Sequence, residues 1–229
     1  SLPTPMDKNC VPNYSALFSV AQNLHDFIQN ETLIIIESTV EPGFIEDEFI
    51  KIVEGKNKKL IRNIDFSIVA CPETANPGEI FTDFHKLPRL IGGFDERFSQ
   101  ITAKLYHYVF NVEIIHLPNC KTANAAKLTA NVFRDVNIAF INELAMLFEK
   151  MDIDIIKVIE ACDRKYNFQA HYPGAGVGGP CLPVNSYQYL NTARKTFDGV
   201  LRIIEAAREI NEHMPHHTVE IVVDALNES

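Results

Sequence analysis

An α/β fold, with a parallel, doubly wound sheet followed by an all-helical segment, is predicted for this chain of 229 residues. Three observations predict it. Short β-branched apolar runs alternate with amphipathic helical patterns up to residue 117. Long helical periodicities take over from residue 118, and no internal repeat or low-complexity tract interrupts either part. The length suits one large domain or two small ones, and it is enough to bury a real core.

The first helix is read over Asn13 to Gln29, with apolar side chains at 17, 20, 21, 24, 27 and 28. "TLIIIEST" follows as a strand buried on both faces, as parallel sheets require. Pro42-Gly43 ends it, and "FIEDEFIKIVEG" reads as a helix closed by Gly55. "DFSIVACPE" and "RLIGG" are the next strands, "DERFSQITAKLYHYVF" a helix and "VEIIHL" the last strand. Beyond it Ala125, Leu128, Val132, Val136, Ala139, Phe140, Leu144 and Leu147 form one apolar stripe. They belong to a helix of roughly eight turns. "DIDIIKVIEACD" is a shorter helix, followed by a glycine-rich loop. A third helical stretch runs from about Val184 towards the C-terminus, where Pro215 either kinks it or starts a new segment.

Composition narrows the class. Hydrophobic residues make up 46% of the chain, yet its apolar runs, Leu33 to Ile36 among them, are far too short to span a bilayer. The first ten residues lack the basic flank and apolar stretch of a signal peptide. A net charge of −9 argues against a nucleic-acid surface, which feeds on Lys and Arg. The cysteines Cys10, Cys71, Cys120, Cys162 and Cys181 are odd in number, dispersed and without a C-x-x-C pair. They read as reduced thiols of a soluble cytoplasmic protein, one of them a candidate nucleophile.

Four glycines and three prolines surround Cys181 in "PGAGVGGPCLPVN". Gly174, Gly176 and Gly179 satisfy the dinucleotide pattern G-x-G-x-x-G, but the preceding "YNFQAHYP" is no buried strand. Pro180 and Pro183 also crowd the place where an uninterrupted phosphate-binding helix should begin, so the match reads as accidental. A loop that lets substrate approach a cysteine at a helix start is one alternative; an inert cysteine in a turn is the other. In "KTANAAKLTAN", Lys127 and Asn131 share a helix face and suit a developing oxyanion, or they form a solvated face. Thr39 in "ESTVEPG" and Glu73 in "ACPETANPG" follow strand ends, where open α/β sheets bind ligands, though caps and turns use the same residues. The chain opens at "SLPTP" without the strand and glycine-rich turn of a dinucleotide domain. Either the fold is unrelated to such domains or the chain begins partway through one.

Together "PTPMD", "ESTVEPG", "CPETANPG", "RLIGG", "KLTANVFRDVNIAFINELA", "PGAGVGGPCLP" and "REINEHMP" resemble the nucleotide-sugar dehydrogenase family, in the family's order and over nearly the whole chain. The "PGAGVGG" form is most similar to the branch acting on UDP-N-acetylmannosamine. The resemblance implies a fragment of an enzyme of polysaccharide biosynthesis. Residues 1–117 would be the C-terminal part of an NAD-binding Rossmann-like domain, and residues 118–195 the helical central domain with the cysteine loop. Residues 196–229 would be a connecting helix towards a nucleotide-sugar-binding domain. It further implies a homodimer formed through the helical domain, with no membrane or nucleic-acid partner.

The implied chemistry is a four-electron oxidation of a UDP-sugar's primary alcohol to a carboxylate, with NAD as cofactor. Cys181 would form a thiohemiacetal and then a thioester, Lys127 and Asn131 would steady the oxyanion, and Thr39 and Glu73 would place or activate water. Thr4 and Thr39 would lie near the cofactor; Gly178, Lys127, Asn131 and Glu73 near the substrate. Two positions depart from many relatives: Asn185 stands where an aspartate is usual, and Pro77 where a second acid can stand. His213, His216 and His217 lack zinc-ligand spacing, and no metal is expected. A β-hydroxyacid-type dehydrogenase, with one hydride transfer and no cysteine, is the competing enzyme. This stretch by itself is expected to lack activity, and the non-enzymatic alternative is that it serves only as a dimerisation module.

Overall fold

β-Branched runs and amphipathic patterns become strands and helices much where the periodicity places them. The computed structural model describes residues 1–55, 60–75, 78–179 and 181–227, so Pro77 and Pro180 lie outside the described residues. Two compact units divide at residues 129 and 130.

The first unit runs α1 (Ser15–Phe27), β1 (Thr32–Ile36), a π-helical turn (Ile45–Phe49) leading into α2 (Ile50–Glu54), and β2 (Phe66–Ala70). It continues with α3 (Ile80–Asp83), β3 (Arg89–Gly93), α4 (Glu96–Phe110), β4 (Ile114–Leu117) and the start of α5 (Cys120–Glu149). Gly55 ends α2 at φ +74, a conformation that favours glycine. Asp95 caps α4 by accepting from the Arg97 N–H at 2.8 Å, and Asn111 closes it in the left-handed region.

The four strands lie in the order β1-β2-β3-β4. β1 pairs parallel with β2 from Thr32↔Phe66 to Ile36↔Ala70, and β3 pairs parallel with β4. The wholly parallel sheet expected from the sequence is corrected at the centre: β2 and β3 are antiparallel, joined at Val69↔Gly93 and Ala70↔Gly92. Among the described residues between them, only the four-residue α3 forms. At about 1.5 Å per residue it cannot carry the chain back along β2, so Arg89 enters the sheet at the end where Ala70 leaves it. The sheet is therefore mixed but still covered on both faces. Ile34, Ile36, Phe66 and Ile68 pack with Leu17, Ala21, Phe49 and Val53 of α1, the π turn and α2. Val69 and Ile91 pack with Phe98, Ala103 and Tyr106 of α4.

The second unit is helical: the rest of α5, then α6 (Ile155–Cys162), α7 (Cys181–Phe197) and α8 (Arg202–Asn227). Asp154 caps α6 by accepting from the Ile156 N–H at 2.9 Å. The 30-residue α5 matches the expected length. Of its stripe Leu128, Val132 and Ala139 are buried, whereas Phe140 and Leu147 are half open to solvent. Two expectations are corrected. The final helical stretch is two helices, broken where Asp198 takes a positive φ beside Gly199. Its first helix begins at Cys181 rather than Val184, with Pro183 inside the first turn, where a missing N–H costs no helical hydrogen bond. Pro215 lies within the single helix α8. Among the described residues no helix is long and apolar enough to cross a membrane.

Candidate active site

In the first unit the parallel register of β1 and β2 brings two loops together. Thr39 and Glu73 each stand three residues past their strand's end, and Ile36 and Ala70 are register partners. The loops are tied by Cys71 N–H to the Ile36 oxygen at 2.9 Å and Glu73 N–H to the Glu37 oxygen at 3.1 Å. Thr4 joins them, its hydroxyl donating to the Thr39 carbonyl at 3.0 Å. Glu73 is half-buried; its Oε1 accepts from the Ala75 N–H and lies 3.6 Å from Arg89 NH1.

Arg89 is a residue that sequence reasoning missed. It is 1% exposed, and its guanidinium lies 4.5 Å from the Phe84 ring centre, 5.3 Å from that of Phe110 and 5.6 Å from that of Tyr106. The signal was present: an arginine inside the apolar run "LPRLIGG" must be paired or stacked to be buried. Two thiols of this unit are unsuited to nucleophilic work. Burial pushes Cys71 up to about 12, although Arg89 pulls it back, and burial likewise pushes Cys120 up to about 12.

The second unit presents Cys181 differently. Cys181 is exposed and is the first residue of α7. Upstream of it the glycine loop is open: a Cβ added at Gly174, Gly178 or Gly179 would meet nothing within 4 Å. One turn along α7 is Asn185, buried, whose Oδ1 accepts from Asn131 Nδ2 at 2.6 Å while its own Nδ2 donates to Gln188 Oε1 at 3.1 Å. The structure thus joins Asn131 to the cysteine's helix. Lys127, half-buried, sits one turn before Asn131 on α5, within the first unit.

A buried polar cluster was also missed. Asp135 and Asn142 on α5, Ser186 on α7, and Arg208 and Asn211 on α8 are all buried. Arg208 NH1 donates to Asp135 Oδ1 at 2.8 Å. Burial pulls the Arg208 pKa down, but the Asp135 and Glu212 carboxylates outweigh it and hold it above the ordinary value. The legible signal was spacing: Asp135 and Asn142 are seven residues apart and Arg208 and Asn211 three, so each pair shares a helix face. His217, in the same unit, pairs with Glu149 at 3.0 Å, and the rings of His213 and His216 stack at 6.4 Å.

Residues 1–110 match the NAD binding domain of the UDP-glucose/GDP-mannose dehydrogenase family, and residues 121–213 match its central domain. The chain belongs to this family. NAD is the cofactor that the first match indicates. Among relatives, the chain is 35% identical over 218 residues to the UDP-N-acetyl-D-mannosamine dehydrogenase of Pyrococcus horikoshii, covering 95% of this chain and 50% of that protein. It is 34% identical over 226 residues to protein CapL of Staphylococcus aureus, covering 99% and 53%. The solved UDP-D-ManNAc dehydrogenase of Pyrococcus horikoshii superposes with a TM-score of 0.90 at 32% identity, over 100% of this chain and 53% of that one. The chain therefore spans about half the length of the curated relatives it matches. A 3-hydroxyisobutyrate dehydrogenase of Mycobacterium tuberculosis, at 16% identity and a TM-score of 0.62, shares the fold alone.

The residues present fit part of a dinucleotide site. Thr4 and Thr39 stand beyond the C-terminal end of β1, where such a cofactor's rim lies in open α/β sheets. Among the described residues the G-x-G-x-x-G stretch follows no strand, so it builds no pyrophosphate cradle of that kind.

Proposed function

We propose that this chain supplies the rear of the NAD-binding domain and the nucleophile-bearing helical segment of an NAD-dependent nucleotide-sugar 6-dehydrogenase. Its substrate on this reading is a UDP-N-acetylhexosamine, with UDP-N-acetyl-D-mannosamine the first choice, as the relatives' names suggest. The observation that carries the reading is Cys181: an exposed thiol at the first turn of a 17-residue helix, below an open glycine loop, while Cys71 and Cys120 are buried.

The reaction follows from thiol chemistry. The sugar's C6 alcohol loses a hydride and a proton to become an aldehyde. The Cys181 thiolate adds to the carbonyl carbon, a C–S bond forms, and the oxygen takes up the negative charge. Loss of a second hydride from that carbon leaves a thioester. Water adds, the C–S bond breaks, and the thiolate departs as the carboxylate forms. Bound NAD+ supplies the hydride acceptor for both oxidations.

On this reading Lys127 and Asn131 meet the oxyanion. Asn131 uses one amide hydrogen on Asn185 and has a second to offer. Asn185 orients its neighbours but cannot accept a proton, so activation of water falls to Glu73, with Thr39 placing the water. Gly178, facing open space, admits the sugar. Thr4 and Thr39 hold the cofactor's edge. By itself this stretch is inactive, and the helical unit is its dimerisation module.

In the full-length enzyme, UDP-N-acetyl-D-mannosamine is expected to yield two NADH for each acid formed. Cys181→Ser is expected to lower acid formation at least about a hundredfold, the scale of losing one essential group, with little change in nucleotide-sugar affinity. One NADH per turnover and undiminished activity in the serine variant would instead overturn the cysteine reading in favour of a single hydride transfer, as in the β-hydroxyacid-type alternative.

A further inference from the structure

The glycine loop before Cys181 is held at its start, the helix after it is held as well, and one buried carboxylate stands behind both holds. At its start the Gly174 N–H donates to Asn142 Oδ1 at 3.0 Å. Asn142 Nδ2 donates to Asn211 Oδ1 at 3.0 Å. Asn211 Nδ2 donates onward to Asp135, at 2.9 Å to Oδ1 and 3.0 Å to the backbone oxygen. Beyond the loop Ser186, five residues past Cys181 on α7, donates its hydroxyl to Asp135 Oδ2 at 2.6 Å. The middle of the loop lies against the same elements. Gly176 has φ +100, and a Cβ there would fall 2.7 Å from the Asn211 carbonyl oxygen and 3.3 Å from Pro215 Cδ.

Burial makes this arrangement informative. Asp135, Asn142 and Ser186 are 0% exposed, Asn211 1% and Arg208 4%. Polar groups so placed carry a desolvation cost, and apolar residues of similar volume often stabilise a helical core as well or better. What leucines cannot do is fix direction. A carboxamide accepting one particular N–H sets where the loop departs, and a carboxylate accepting one particular hydroxyl sets the rotation of α7. The two holds meet on one residue, so the loop's start and the cysteine's helix keep a constant separation. Arg208, bonded to Asp135 Oδ1 at 2.8 Å, compensates the charge on which the chain converges.

We infer that Asp135, Asn142 and Asn211 are positioning residues that set where the Cys181 thiol stands. The inference rests on the reading of Cys181 as the nucleophile. The network acts through the loop and through α7, by removing the freedom that four glycines would otherwise give the approach to the thiol.

Two variants test it. Asn142→Ala removes the acceptor for Gly174 at the network's loop end. Gly176→Ala displaces the loop while leaving every buried side chain in place. In this chain, hydrogen exchange of the amides of residues 174–179 is expected to quicken about tenfold or more in Asn142→Ala, while α5 and α8 stay protected. In the full-length dehydrogenase both variants are expected to lower kcat for acid formation about tenfold or more, with the nucleotide-sugar KM within about twofold of wild type. Unchanged loop exchange overturns the inference, as does unchanged kcat in an enzyme that Cys181→Ser inactivates. An active Cys181→Ser enzyme overturns the nucleophile reading and with it the catalytic half of the inference. The exchange result judges the hold on the loop by itself.

Discussion

At the scale of single residues the cysteines show how one side chain serves opposite ends. Cys181 is exposed on a helix start, whereas Cys120 is wholly buried with its Sγ 3.2 Å from the Gly92 carbonyl. Burial raises Cys71 and Cys120 from an ordinary 9.0 to about 12, so the folded chain favours their protonated forms. The unfolded chain releases these protons first, near pH 9. Between there and about 12 the folded state binds more protons, and stability falls as pH rises. The loss is about 1.4 kcal/mol per pH unit for each thiol. Thermal unfolding between pH 8 and 11 should show a steep decline that flattens in the Cys71→Ala/Cys120→Ala variant. Equal slopes in the two proteins would show that the thiols do not titrate in this way. Residue identity made these cysteines legible as a set, but nothing in their spacing separates the exposed from the buried. That distinction is burial, which neighbours distant in sequence supply.

At the scale of elements, β3 and α5 meet through a glycine. A Cβ at Gly92 would fall 2.2 Å from the Asn119 carbonyl oxygen and 3.2 Å from Ala123 Cβ, and a backbone carbonyl cannot swing aside as a side-chain tip can. Gly92→Ala is therefore expected to destabilise the chain by about 1–3 kcal/mol, the range for overpacking a close contact. Gly174→Ala, with nothing within 4 Å, is the control and should move the denaturation midpoint little. Similar midpoints for the two would disprove the close packing of α5's start on the sheet. Helix and strand positions were legible because periodicity of 3.6 or 2 records which face is buried. The antiparallel entry of β3 was not, because strand direction depends on how the connection crosses the sheet. The start of α7 was misplaced because Pro183 suppresses a helical reading, although the first turn tolerates it.

At the scale of the whole molecule, apolar surface remains uncovered on the helical unit. On α8, Ile203 is 73% exposed, Val219 61%, Val222 53% and Leu226 70%, a run that a soluble chain ordinarily covers. The proposed homodimer would bury it. Light scattering of the full-length protein at micromolar concentration should give twice the chain mass, and Val222→Asp with Leu226→Asp should bring it towards the monomer. A monomeric wild type would defeat the proposal.

What the sequence determined by itself was the alternation of strand and helix, the long α5, and the motifs that tie the chain to its family. These depend on local periodicity and on residue types in a fixed order. Tertiary structure alone decided that Glu73 lies beside a buried Arg89, that Asn131 holds Asn185, and that Asp135 stands behind both the start of the cysteine loop and the helix that follows it. Those pairings join residues 16, 54 and 51 positions apart: Arg89 with Glu73, Asn185 with Asn131, and Ser186 with Asp135. No local pattern encodes them, because each exists only once packing has expelled water and brought these side chains together.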